Sequence, residues 1–209
     1  MQFRRRASGA PVSLGILSAT FNPPTNAHLA LAASGLTLCG EVLFALPRIF
    51  PHKSYVGATL EERLAMLEAA AGSEPRYSIA CTEGGLFVEI ARECRASYGA
   101  AVALRFLCGA DAASRVVNWE YGRPDAIREM LQEFELLVAP RGGAFDPPPA
   151  LRGRIHPLPL AGDYGAISAT EVRRRIAEGQ PWEHLVPEPV APLAREYYRF
   201  TTEAQSARS

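Results

Sequence analysis

At 209 residues and 48% hydrophobic content, the chain is long enough for one α/β domain with a buried core and too short for two comfortable ones. Its 22 basic and 22 acidic residues cancel, which excludes a net charge that would recruit nucleic acid or an anionic membrane. Four cysteines (Cys39, Cys81, Cys94, Cys108) lie far apart without a C-x-x-C pair. That spacing argues against a disulfide scaffold or a zinc site and fits a reducing cytoplasm.

Arg4, Arg5 and Arg6 precede a stretch without acidic or basic residues from Ala7 to Gly40, which superficially suggests a signal peptide. Its purely apolar part, Val12 to Leu17, is shorter than the about 7–15 residues such a segment needs. Asn22, Pro23, Pro24, Asn26 and His28 then break the run, at a cost no membrane span would carry. Residues 1–10 are therefore expected to be a loose tail on a cytoplasmic protein with no membrane partner.

In chain order, Val12–Ser18 is β-rich and apolar, as in a strand buried on both faces. A Pro-containing loop from Ala19 to Thr25 leads to a helical Asn26–Cys39 that Gly40 stops. Glu41–Leu46 is a second strand, followed by a long loop through Pro47, Pro51 and Gly57. Thr59 caps a helix with Glu62 as its capping-box partner. Tyr77–Cys81 is expected to be a strand, Phe87–Tyr98 a helix and Ala101–Cys108 a buried strand ending at Gly109-Ala110-Asp111. A polar helical stretch through Arg128 precedes a strand at Glu135–Ala139, a Gly/Pro loop over 140–153 and a short strand at Ile155–Leu158. Helices at Ser168–Glu178 and Ala191–Phe200 close the chain before a polar tail from about Thr202. Alternating strands and helices imply a doubly wound parallel sheet, with ligands beyond the carboxyl ends of its strands. The loops after Ser18, Leu46, Cys108 and Ala139 are the places to look for chemistry.

Neither G-x-x-x-x-G-K-[ST] nor G-x-G-x-x-G occurs, which removes most support for a phosphate-loop ATPase or a standard dinucleotide oxidoreductase. G-x-S-x-G and H-E-x-x-H are also missing. The first strand instead runs into Thr20-Phe21-Asn22-Pro23-Pro24-Thr25-Asn26-Ala27-His28, with His28 in the first turn of the next helix. Free N–H groups and the positive dipole end there suit a phosphate, and an imidazole can donate to it as charge builds. In Ile167-Ser168-Ala169-Thr170-Glu171-Val172-Arg173, Ser168 and Glu171 read as an ordinary capping box. Thr170 and Arg173 lie beyond what a cap needs, three residues apart on one helix face. Hydroxyl, N–H groups and guanidinium together can cradle a triphosphate tail. Lys53 is the only lysine beside 21 arginines, a compact rotatable charge in the loop after the second strand.

Thr20-Phe21-Asn22-Pro with Thr25-x-x-His28 resembles the [HT]-x-G-H signature of the nucleotidylyltransferase superfamily, and Ile167-Ser168-x-Thr170-x-x-Arg173 resembles its I-S-x-T-x-x-R signature. Pro51-His52-Lys53 with Arg63 and Met66, Gly109-Ala110-Asp111 with Trp119, Val138-Ala139-Pro140-Arg141-Gly142-Gly143, and Leu185-Val186-Pro187 with Val190 and Tyr197 resemble segments of the nicotinate/nicotinamide mononucleotide adenylyltransferases. The resemblance spans about residues 12–200 and implies a Rossmann-like, nucleotidylyltransferase-type fold. It implies a reaction in which a mononucleotide phosphate attacks the α-phosphorus of ATP and releases pyrophosphate, within NAD biosynthesis. His28, Lys53 and Arg173 would be catalytic. ATP would be held by Thr20, Phe21, Thr25, His28, Gly109, Asp111, Ile167, Ser168, Thr170 and Arg173. The acceptor would meet Asn22, Lys53, Trp119 and Arg141, with Trp119 stacking on its base. Mg²⁺ would arrive with ATP, largely water-ligated, because no carboxylate cluster offers a protein-made metal site.

Three departures stand out. Ala19 and Ala27 occupy positions where the family has glycine, and Glu83-Gly84-Gly85-Leu86-Phe87-Val88-Glu89 lacks the hydroxyls of an S-Y-T-x-D-T-like segment that frames the pyridine nucleotide. Nicotinate and nicotinamide both remain open as the acceptor's base. Phosphopantetheine or a cytidylyl-transfer substrate on the same scaffold, and a non-catalytic nucleotide-binding module, are the competing readings. A homo-oligomer is compatible with the sequence.

Overall fold

The computed structural model describes residues 1–49, 57–119, 122, 125–140 and 145–206, with side chains up to residue 199. Seven strands form one sheet: β1 (Gln2–Arg5), β2 (Ser13–Ser18), β3 (Glu41–Pro47), β4 (Tyr77–Thr82), β5 (Ala103–Gly109), β6 (Glu135–Ala139) and β7 (Ile155–Pro157). Their order is β1-β4-β3-β2-β5-β6-β7, with β1 antiparallel to β4 and every other pairing parallel. The parallel part is a doubly wound sheet: the chain steps outward from β2 through β3 and β4, then returns to β5 on the other side. The topological switch therefore lies between β2 and β5, where open α/β sheets bind ligands.

The apolar strand runs divide between the two faces with period two. Leu14 and Ile16 of β2 and Leu43 and Ala45 of β3 join a cluster with Ile90, Ala113 and Leu131. Those three belong to α3 (Phe87–Tyr98), α4 (Ala110–Val117) and α5 (Ala126–Glu133). Val42, Phe44 and Leu46 turn to the opposite face, against Ala32 of α1 (Asn26–Gly35) and Leu64 and Leu67 of α2 (Leu60–Ala71). A third cluster joins Met66 of α2 to Val172 of α6 (Ala169–Ala177) and to Ala194 and Tyr198 of α7 (Ala191–Ser206). It fastens the carboxyl-terminal helices beside the carboxyl ends of β2 and β3.

Elements match expectation where one signal dominates. The α2 capping box forms as read: Glu62 N–H donates to Thr59 Oγ1 at 3.3 Å and Thr59 N–H to Glu62 Oε2 at 2.6 Å. Residues 1–10, expected to be loose, instead begin with strand β1 on the sheet edge. Phe3 packs edge-on against Tyr98 at 5.8 Å, the Arg6 guanidinium lies 4.8 Å over Phe3, and Arg5 donates to the carbonyl of Gly72 at 2.7 Å. Arg4 and Arg5 lie within this edge strand and Arg6 directly follows it, and charged side chains there keep an exposed edge from pairing with other chains. Helix α1 stops at Gly35 rather than Cys39, because Leu38 and Cys39 both turn their N–H groups onto the Gly35 carbonyl. A side chain at Gly35 would sit 2.5 Å from Leu107 of β5, so α1 approaches the sheet as closely as it does only with glycine there. Helix α7 continues to Ser206, past the expected start of a tail at Thr202.

Candidate active site at the β2/β5 switch

A cleft of about 560 Å³ opens over the carboxyl ends of β2 and β5, a size suited to small-molecule ligands. Its floor is Leu17 and Ser18 from β2 with Leu107, Cys108 and Gly109 from β5. One wall comes from the β2–α1 loop and α6, the other from Phe87 on α3 and Ala112 and Arg115 on α4. The charged or chargeable lining residues are His28, Arg115 and Arg173, and no Asp or Glu is among the described residues that line it. A cleft lined by arginines, with no acidic counter-charge among the described lining residues, concentrates anionic ligands.

The β2–α1 loop is braced from three directions. Arg63 of α2, only 5% exposed, donates from Nη1 to the Thr20 carbonyl at 3.2 Å and from Nε to the Thr59 carbonyl at 3.3 Å. Asn22, 4% exposed, accepts at Oδ1 from the Tyr198 hydroxyl of α7 and from Ala58 N–H at 3.3 Å, just before α2. Arg173 of α6 donates from Nη1 to the Asn22 carbonyl, and its Nη2 lies 3.5 Å from Thr170 Oγ1. Gly57 explains how these helices close in: at φ +120° a Cβ would come within 3.1 Å of both the Asn22 amide and the Tyr198 ring. Phe21 is held at φ 46°, which is unusual for a residue with a side chain and clusters at functional sites.

His28 occupies the third position of α1, where a capping box normally carries Glu or Gln. The Thr25 N–H donates to its Nδ1 at 3.0 Å, and Thr25 Oγ1 lies 2.9 Å from the same nitrogen. With Nδ1 accepting, the ring proton of the neutral imidazole resides on Nε2, which makes that nitrogen the donor. The buried Phe21 ring packs edge-on to the imidazole at 5.1 Å and to Phe44 at 5.8 Å, fixing its tilt. On α6, Ser168 is the N-cap and accepts the Glu171 N–H at 3.1 Å, but the reciprocal half of the expected capping box does not form. The Glu171 carboxylate turns instead to Arg174 and Arg175, at 2.8 and 2.7 Å. Hydrogen bonds from these two hold its pKa down to about 2. Arg173 is thereby left to face the cleft while its neighbours are tied to Glu171.

Thr20, Asn22, Thr25, His28, Gly109, Ile167, Ser168, Thr170 and Arg173, all expected at the site, do line this one cleft. Three others do not line it, and Asn22 lines it with its side-chain oxygen engaged elsewhere. Phe21 is fully buried, so its ring orients His28 and any ligand contact falls to its backbone. Asn22 reaches the lining, yet its side-chain oxygen is committed to Tyr198 and Ala58. Asp111 is an exposed carboxylate in the first turn of α4 and Trp119 is 49% exposed beyond that helix; neither is in the cleft lining. Lys53 and Arg141 lie outside the described residues. Arg115 and Phe87 were not anticipated. Arg115 sits three residues after Ala112 on the same face of α4, a spacing that could have flagged it. Ala19 and Ala27, which stand where the family has glycine, both line the cleft. Among the described residues no group of three His, Cys, Asp or Glu could hold a metal ion, and no helix is long and apolar enough to cross a membrane.

Comparison with known proteins places this geometry. The cytidylyltransferase-like family matches residues 16–175. A Bordetella pertussis protein named probable nicotinate-nucleotide adenylyltransferase is 32% identical over 90% of this chain and 97% of its own. Its namesake from Thermus thermophilus is 31% identical over 85% and 93%, and that from Exiguobacterium sibiricum 27% over 91% and 100%. Among solved structures, Plasmodium falciparum nicotinic acid mononucleotide adenylyltransferase complexed with NaAD superposes with a TM-score of 0.67. At 16% identity over 90% of this chain and 98% of that one, this likeness speaks for the fold. With both signature segments meeting in one cleft at the switch point, the chain belongs to the cytidylyltransferase-like family and groups there with the nicotinate-nucleotide adenylyltransferases.

Proposed function

We propose that the chain is a nucleotidyltransferase of NAD biosynthesis, joining the adenylyl group of ATP to a pyridine mononucleotide. The observation that supports this most strongly is the acid-free cleft in which His28 and Arg173 converge from opposite ends of the sequence. A phosphate oxygen of the mononucleotide attacks the α-phosphorus of ATP. The bond from that phosphorus to the bridging oxygen breaks, and pyrophosphate leaves with the electron pair. No covalent enzyme intermediate is needed, so the protein contributes alignment and charge stabilisation.

His28, its Nδ1 occupied by Thr25, donates from Nε2 to the phosphate undergoing transfer. The Thr20 and Phe21 backbone and the open end of α1 approach the same group. Arg173, with Ser168 and Thr170 at the start of α6, holds the departing phosphates, aided by Lys53. Gly109, which caps α4, adjoins the adenosine, with Asp111 beside it. Trp119 and Arg141 serve the acceptor. Mg²⁺ would arrive with ATP as Mg·ATP, largely water-ligated, since the described residues that line the cleft include no carboxylate. We place the reaction in the cytoplasm, where four buried, unpaired thiols persist, and in a single nucleotidylyltransferase domain.

The test is pyrophosphate release from Mg·ATP with nicotinate mononucleotide, nicotinamide mononucleotide and phosphopantetheine supplied separately. Turnover with a pyridine nucleotide and none with phosphopantetheine is expected. Turnover with phosphopantetheine alone would overturn the acceptor class, and silence with all three would overturn the enzyme reading.

A further inference from the structure

The two walls of the cleft treat charge differently. On the α1/α6 wall both basic side chains are engaged: His28 with Thr25, and Arg173 with Asn22 and Thr170. On the α3/α4 wall Arg115 stands apart. Among the described residues it is the one arginine with no hydrogen bond, ion pair or ring contact, although it lines the cleft. The remaining arginines are each tied to a carboxylate, a carbonyl or another group, as Arg105 is to Glu135 at 3.1 Å and Arg95 to the Ala100 carbonyl at 2.7 Å.

On the same wall the loop before α3, a second place where N–H groups could meet an anion, is filled by this chain's own carboxylates. The Glu89 carboxylate accepts the N–H groups of Gly85 and Leu86, each at 3.0 Å. Glu93 accepts those of Glu83 and Gly84 at 3.0 and 3.1 Å. A side chain at Gly84 would collide with Glu89 at 2.5 Å, so the two glycines let this loop wrap around its own carboxylates. An anionic ligand group on the α3/α4 wall therefore finds no unfilled loop N–H in this segment and one unpaired guanidinium. Phe87 stands between, its ring stacked on Phe106 at 4.2 Å, and provides an apolar surface for a flat base.

We propose that Arg115 is the specificity-determining residue for the acceptor, pairing with a carboxylate on its aromatic base and so favouring nicotinate over nicotinamide mononucleotide. The proposal rests on the adenylyl-transfer reading above. The phosphates shared by all candidate substrates meet the α1/α6 wall; a second negative centre, present only on the acid base, meets Arg115. A carboxamide offers a guanidinium no charge to neutralise, whereas a carboxylate accepts two parallel N–H bonds from it.

The experiment compares kcat/KM for the two mononucleotides at saturating Mg·ATP in the wild type, Arg115→Gln and Arg115→Lys. The wild type is expected to prefer the acid. Arg115→Gln should reduce that preference by about 10- to 100-fold, the span for losing a charge-assisted hydrogen bond, with the change concentrated in the KM for nicotinate mononucleotide. Arg115→Lys should recover part of the preference. Arg115 is exposed and unpaired, so an unchanged Tm is expected and separates binding from folding. Equal losses with both acceptors, an unaltered ratio, or a wild type that prefers the amide would each overturn the assignment while leaving adenylyl transfer intact. A wild type that turns over neither mononucleotide contradicts the adenylyl-transfer reading itself and removes the basis of this one.

Discussion

The two walls of one cleft are built by opposite strategies. Along the β2–α1 loop and α6, residues far apart in the chain are cross-braced: Arg63, Tyr198 and Arg173 all converge on Thr20 and Asn22. Along α3 and α4 the polar groups satisfy themselves locally, Glu89 and Glu93 closing their own loop, and Arg115 is left unpaired. Bracing from several helices fixes groups that act on charge developing at phosphorus, where misplacement is costly. On the mechanism proposed here, chemistry belongs to the braced wall and choice of acceptor to the other.

The sharpest way to break this division is His28→Ala. Losing a donor aimed at the transferring phosphate should lower kcat by about 10²–10³-fold, with a much smaller change in either KM; near-normal turnover would remove His28 from the mechanism. Next comes Arg173→Lys. An ammonium cannot reach the Asn22 carbonyl and the phosphates with one planar fork, so kcat/KM should fall about tenfold or more for every acceptor alike. A loss that differed between acceptors would blur the two walls.

A smaller effect is expected from Tyr198→Phe, which deletes a buried hydrogen bond to Asn22 without changing ring packing. Stability should drop by about 1 kcal/mol in denaturant unfolding, and because Asn22 also receives Arg173, KM for ATP should rise modestly. An unchanged unfolding midpoint would show that the Asn22 brace is dispensable. The smallest effect concerns the thiols. Burial raises the Cys94 and Cys108 pKa from 9.0 to about 12, so both stay protonated in the folded chain and should resist alkylation at pH 8 until it unfolds. Their folded pKa exceeds the unfolded one, so stability is intact below pH 9 and declines as pH rises toward 12. Rapid modification of Cys108, which lines the cleft, would mean that the floor of the site opens readily.

What could be read from the sequence follows the same divide. Helix α3 falls on its expected residues between Gly85 and Gly99, and strand β6 on its own as an apolar run stopped by Pro140. The switch-point loops after Ser18 and Cys108 were identifiable because doubly wound sheets bind ligands at the strands' carboxyl ends. Strand β1 was obscured by three arginines whose partners, Gly72, Glu74 and Ser97 among them, are remote in sequence. The bracing role of Asn22 was hidden for the same reason, since Tyr198 lies 176 residues away. The polar stretch through Arg128 read as one helix but is two, α4 and α5, although Gly122 and Pro124 lie in the sequence between them and are the breakers that could have marked the division. Arg115 falls outside both signature segments. Its significance depends on its standing apart from the other arginines among the described residues, which their positions in the fold reveal and the sequence does not.

The most direct test of the central claim is identification of the product formed from Mg·ATP and nicotinate mononucleotide. The account predicts one pyridine dinucleotide for each pyrophosphate released, with both lost together in His28→Ala. Pyrophosphate or orthophosphate released without any dinucleotide, or an equal rate in the variant, would contradict it.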